Sequence, residues 1–198
     1  MIGRFTVIDI ETTGLCKNKN RITEIAGLRV ENNRIVEKFE TLINPETSIP
    51  AEITQITGIT DKMVEKKPTI SEVLPNFLNF IKDDILIAHN SVFDMGFLKI
   101  NTKKYLDVNL ENRDICTRNL ARKIVPTIPS YRLSSLCNYF DIKNESAHRA
   151  MSDVYATTRL FLKFQAIMHN SGLKQDQDIL DFYKDPLAKL NYSLNSLF

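Results

Sequence analysis

The chain has too few cysteines to be held together by them. Its 198 residues include three, Cys16, Cys116 and Cys137, an odd number scattered far apart. Their spacing fits neither a disulfide framework nor a zinc site, and a reducing cytoplasm is expected. Charge of one sign is also missing: 26 Lys and Arg stand against 24 Asp and Glu, a net +2. A dedicated duplex binder carries a clearer basic bias. No run approaches the ~20 apolar residues that span a bilayer. The amino terminus has no apolar signal region followed by a small-residue cleavage site, so neither export nor a membrane partner is expected. Internal repeats and low-complexity runs are absent. What remains is 43% apolar residues, enough to place the chain among globular proteins with a sizeable core.

The most informative segment is Phe5-Thr-Val-Ile-Asp-Ile-Glu-Thr-Thr-Gly-Leu15. Its β-branched, apolar start reads as a buried strand. Side chains alternate along a strand, so Asp9 and Glu11 project together at its carboxyl end. Two anions side by side repel each other and lose hydration. A hard cation such as Mg²⁺ or Mn²⁺ compensates such a pair. A solvated acidic strand end is the alternative for this dyad taken alone.

Further strands are expected over residues 22–30 and 34–43, joined by a tight turn at 31–33. Residues 54–60 read as loop. A helix is expected over 69–82, where Ile70, Val73, Leu74, Phe77, Leu78 and Ile81 recur at spacings of three and four. A strand at 85–88, a helix at 92–101, a short strand at 113–116 and helices at 119–124 and 133–140 follow. The longest helix is expected over 150–169. This order predicts an α/β sandwich with a mixed five-stranded sheet flanked by helices.

Two more segments sharpen the reading. Ile85-Leu-Ile-Ala-His-Asn-Ser-Val-Phe-Asp94 runs an apolar strand into Asn90 and Asp94. Ala147-His-Arg-Ala-Met-Ser-Asp153 sets His148 five residues before Asp153. Together with Asp9 to Leu15 these segments resemble the three motifs of the DEDD exonucleases, in the histidine-bearing (DEDDh) branch. The tyrosine branch would need Tyr at position 149, where this chain has Arg. The resemblance covers roughly residues 4 to 168. It is strongest to the proofreading subunits and domains of bacterial replicative DNA polymerases.

That resemblance implies a ribonuclease H-like fold, with residues 1–170 as an exonuclease domain and 171–198 as a C-terminal extension of uncertain role. It implies a metal-dependent 3′→5′ exonuclease that releases nucleoside 5′-monophosphates from DNA. The same chemistry on RNA is the alternative, and a non-catalytic partner-binding domain is a third reading. Two Mg²⁺ or Mn²⁺ ions would be held by Asp9, Glu11, Asp94 and Asp153, with Asp9 bridging and Asp94 acting on the second ion. His148 would be the general base, since an imidazole takes up protons near neutral pH. The Thr12 and Thr13 backbone amides, with Gly14 allowing close approach, would hold the terminal 3′-hydroxyl and phosphate, and Leu15 would either wedge between the last two bases or sit in the core. Asn90 and Thr57 complete the expected substrate contacts. His89 is expected to be structural, and Phe97 core. Lys99, Lys103, Lys104, Arg118, Arg122 and Lys123 offer either a local basic rim or an ordinary solvated face.

The tail is apolar: Ile179, Leu180, Phe182 and Tyr183 suggest a short helix stopped at Pro186. It needs burial on its own domain, on a second copy in a homodimer, or on a polymerase subunit. Removing residues 173–198 is expected to spare hydrolysis of a short single strand.

Overall fold

The computed structural model describes residues 2–144 and 148–190. Three strands open the chain: β1 (Arg4–Thr12), β2 (Ile22–Glu31) and β3 (Arg34–Leu42). Asn32 and Asn33 both sit at positive φ between β2 and β3, the backbone that a two-residue hairpin turn demands. Then come α1 (Ala51–Thr57), α2 (Asp61–Val64), α3 (Ile70–Ile81), β4 (Ile85–Ala88), α4 (Val92–Leu106) and β5 (Asp114–Cys116). The chain continues through α5 (Thr117–Ile124), α6 (Leu133–Tyr139), α7 (Ala150–Asn170) and α8 (Asp176–Lys184). The sheet order is β3-β2-β1-β4-β5, with β4 and β5 parallel to β1 and the first three strands antiparallel. This is the mixed five-stranded sheet expected from the sequence.

Alternation along β1 sorts the core into two layers. Phe5 and Val7 face α5, α6 and α7, together with Ala26 and Leu28 of β2. Ile8 and Ile10 face α3 and α4 on the other side. Asp9 and Glu11 continue the parity of Phe5 and Val7, which places both carboxylates on the α7 side. Phe97 is buried in the second layer, as expected of a core residue.

Two expectations need correction. Residues 51–57 form α1 where loop was expected over 54–60. Pro50 enters the helix, and Gly58, at φ 72, closes it in the left-handed conformation that favours glycine. Thr54 and Thr57 are weak helix formers and hid it. The short α2 was not anticipated at all.

The tail packs back on its own domain as far as residue 190. Ile179, Leu180 and Phe182 of α8 join the layer formed by α5 and α7. The Cys116 backbone N–H donates to the Tyr183 hydroxyl at 2.9 Å. Lys123 donates to the carbonyls of Phe182 and Asp185, and accepts the Leu190 N–H on its own carbonyl. Tyr192, Leu194, Leu197 and Phe198 lie outside the described residues. Phe182→Ala is expected to cost about 3 kcal/mol, a buried-aromatic truncation. Urea unfolding would register it as a lower midpoint.

Candidate active site

Asp9 and Glu11 stand at the end of β1 where its pairing with β2 goes irregular. Glu11 lies opposite Glu24, and the register shifts between Glu11 and Thr12. A bulge of this kind re-aims side chains and ends a ladder. Across the gap, Asp153 sits in the first turn of α7. Oxygens of Asp9, Glu11 and Asp153 come within 4.8 Å of one another. Asp94, in the first turn of α4, approaches from the other layer: its Oδ1 accepts the Ile10 N–H at 3.2 Å.

The four acids are poorly compensated. Among the described residues no ion pair reaches any of them. Burial, followed by the charges of Asp94, Glu11 and Asp153, pushes Asp9 well above the usual carboxylate range. Burial, followed by Asp153 and Glu24, pushes Glu11 up to about 8, and the Arg149 guanidinium offsets part of that rise. Asp94 is likewise pushed up to about 8, chiefly by burial. A cluster of carboxyls this close, with no protein cation inside it, fits a hard divalent ion through its oxygen donors.

These shifts have a sign in stability. Between about pH 4 and about pH 8 the folded chain binds more protons at Glu11 and Asp94 than the unfolded chain does. Metal-free stability is therefore expected to fall as pH rises through that window. Thermal melts in a chelator should show the fall, and added Mg²⁺ or Mn²⁺ should reverse it most strongly at the alkaline end.

His148 occupies an exposed turn just ahead of α7, at φ 66. Left-handed backbone is costly for a residue with a side chain and persists where neighbours enforce it. Here its N–H donates to Asp153 Oδ2 at 3.1 Å. Asn144 Nδ2 donates to the other oxygen, Oδ1, at 2.7 Å, and Asn144 Oδ1 accepts the Ser152 hydroxyl. Sequence reasoning missed Asn144, which belongs to no recognisable pattern. It also missed Glu24, an almost fully buried acid whose only signal is a charge inside the apolar run of β2.

The loop after β1 wraps around Asn20. Its side chain donates to the Thr13 carbonyl and accepts the Cys16 N–H. Gly14 has φ 153, and a Cβ there would meet Asn20 Nδ2 at 2.7 Å, so the wrap requires glycine. The Thr13 N–H donates to the Arg21 carbonyl at 2.8 Å. It is committed inside the loop, which corrects the expectation that this amide meets substrate. The Gly14 N–H turns back to the Thr12 hydroxyl, 3.3 Å away. Leu15 is 85% exposed at the loop tip, which excludes a core role.

Thr57 also departs from expectation. It is buried, and its hydroxyl links the Ile53 carbonyl to the Ile59 N–H. Its neighbour Ile56 is exposed. Asn90 is exposed at φ 72, a conformation asparagine tolerates, and makes the turn from β4 into α4. His89 lies between Thr117 Oγ1 at 2.9 Å and the Tyr131 carbonyl at 3.0 Å. A carbonyl only accepts, so Nε2 carries the proton and Nδ1 receives the Thr117 hydroxyl. Burial holds this ring down to about 4, neutral and structural. Much of the expected basic rim has local duties. Lys103 pairs with Asp107, Arg122 lies over Tyr131, and Lys123 anchors the tail.

The comparisons agree with this geometry. The sequence profile of a family described as "Exonuclease" matches residues 6–161. The chain is similar to DNA polymerase III PolC-type from Caldanaerobacter subterraneus, at 40% identity over 89% of the chain. It spans only 13% of that relative's length. It is also similar to DNA polymerase III subunit epsilon from Aquifex aeolicus, at 40% identity over 81% of the chain and 80% of the relative. Among solved structures, an exonuclease X in complex with 5′ overhanging duplex DNA superposes with a TM-score of 0.69. That pair is 29% identical and covers 89% of this chain and 98% of the other. E. coli exonuclease I with a dT13 oligonucleotide gives a TM-score of 0.74 at 18% identity, over 90% of this chain and 46% of the other, a likeness of fold. Matches of that extent come from common descent, and the chain belongs to the exonuclease family.

Proposed function

We propose that the chain removes nucleotides from 3′ ends of DNA, one at a time, as nucleoside 5′-monophosphates. The observation that carries this is the convergence of Asp9, Glu11 and Asp153 within 4.8 Å, from β1 and α7. Asp9, Glu11 and Asp153 would hold one divalent ion, Mg²⁺ or Mn²⁺, and Asp9 with Asp94 a second. Bound there, the pair of ions would acidify water and neutralise charge on the phosphate and on the departing oxygen.

The chain's own groups do the rest. His148 takes the proton from the attacking water. The water oxygen bonds to phosphorus, and the bond to the 3′-oxygen of the preceding nucleotide breaks. The departing 3′-oxygen takes a proton from solvent, so one product carries a 5′-phosphate and the other a new 3′-hydroxyl. Thr12, Gly14 and Asn90 would contact the terminal nucleotide. Leu15 and Ile56 offer exposed apolar surface to bases, which favours a frayed or single-stranded end. The naming of the relatives as DNA polymerase III proteins supports DNA over RNA, and supports a polymerase catalytic subunit as partner.

Single-stranded DNA, single-stranded RNA and a 3′-mismatched duplex, each labelled at the 5′ end, test the reading side by side. A ladder shortening from the 3′ end is expected on DNA, with mononucleotides as product. A 3′-phosphate should block it. Faster digestion of RNA would transfer the activity to RNA. Cleavage of a circular single strand would make the chain an endonuclease.

A further inference from the structure

Glu24 and Arg149 stand outside the four acids and the histidine, yet they join the two halves of the site. Glu24 lies on β2, directly opposite Glu11. An acid facing an acid across a strand pair is destabilising unless something holds it. Its side chain is 1% exposed, and both its oxygens are taken. Arg149 Nη2 donates to Oε1 at 2.7 Å, and Nε to Oε2 at 3.3 Å. The Ala150 N–H donates to Oε2 at 3.0 Å. Arg149 is the N-cap position of α7, and no side chain of its own caps the helix. Glu24 supplies that cap from another element. The contact is therefore a two-pronged ion pair together with a helix cap, made between β2 and the first residues of α7.

What this fixes is distance and angle. β2 is laddered to β1, which carries Asp9 and Glu11. Arg149 follows His148 directly, and its carbonyl accepts the Asp153 N–H at 3.1 Å. We propose that the Glu24–Arg149 pair is a positioning clamp, setting the α7 groups Asp153 and His148 against the β1 groups Asp9 and Glu11. Among the described residues the oxygens that converge on one point are those of Asp9, Glu11 and Asp153, while Glu24 turns both of its oxygens to the clamp. The inference rests on the exonuclease reading for its kinetic consequence, and on the acid cluster alone for its metal-binding consequence.

Arg149→Met tests it: no core side chain is removed, although the buried Glu24 carboxylate loses its cation. On a short 3′-hydroxyl DNA strand with saturating Mg²⁺, kcat should fall about 10²-fold with KM nearly unchanged, the effect of a small misplacement. Mn²⁺ affinity, followed by electron paramagnetic resonance, should weaken about tenfold, as for other groups that orient ligands. Arg149→Lys should recover part of the loss, because lysine restores charge without the fork. Glu24→Gln combined with Arg149→Met should be no worse than the poorer single variant, as both act through one contact. Melting temperature is measured alongside. Wild-type kcat and Mn²⁺ affinity in Arg149→Met would overturn the clamp. So would additive losses in the double variant, or losses that only track the melting temperature. If the wild type cuts no DNA but binds Mn²⁺, the exonuclease reading falls, and the Mn²⁺ arm still decides the clamp.

Discussion

Asp9→Ala protein is expected to fold and to release no nucleotide from a 3′-hydroxyl DNA strand, whatever the metal concentration. The loss should exceed the ~10³-fold attached to a single electrostatic contact, because Asp9 serves both proposed ions. Its position carries the argument. Asp9 feels the charges of Asp94, Glu11 and Asp153 together, so it is close to both the α4 acid and the α7 acid. The same crowding gives the variant a second signature. Removing one member of a buried, mutually repelling set relieves the others. In chelator at neutral pH the variant should therefore melt no lower than the parent, and Mg²⁺ should no longer raise its melting temperature. Turnover near the parent's rate would sink the assignment of the acid cluster.

The second large effect belongs to His148→Ala. A loss of roughly 10²–10⁴-fold is expected, the usual share of a general base. Metal affinity should be largely kept, because only the His148 backbone touches Asp153, and alanine preserves that hydrogen bond. A rate near the parent's would hand the proton to another group.

The fold was legible where periodicity was clean. The apolar, β-branched run of β1 announced the strand, and the alternation of side chains along a strand gave the shared face of Asp9 and Glu11. The three- and four-residue spacing from Ile70 to Ile81 announced α3. Legibility failed where local preference and structure disagree: α1 is built on β-branched residues behind a proline. Within the site, Asp9 and Glu11 were visible because their spacing reveals a shared face, and Asp94, His148 and Asp153 because their segments resemble the family's motifs. Hydrogen-bond allegiance is not visible that way. Nothing in the sequence says that the Thr13 amide belongs to Arg21, or that the Thr57 hydroxyl is consumed inside its own helix. Glu24 was overlooked for the opposite reason. It looks like an ordinary strand residue until the helix that needs it arrives from the far end of the chain.

That late arrival bears on how the protein is born. β1, β2 and β3 are neighbours in sequence and joined antiparallel, whereas α7 follows more than 100 residues later. Asp9, Glu11 and Glu24 are therefore synthesised well before His148 and Asp153. Any pairing the three strands reach before α7 is made lacks His148 and Asp153, and with them the proposed site. Competence to degrade nucleic acid requires the docking of α7.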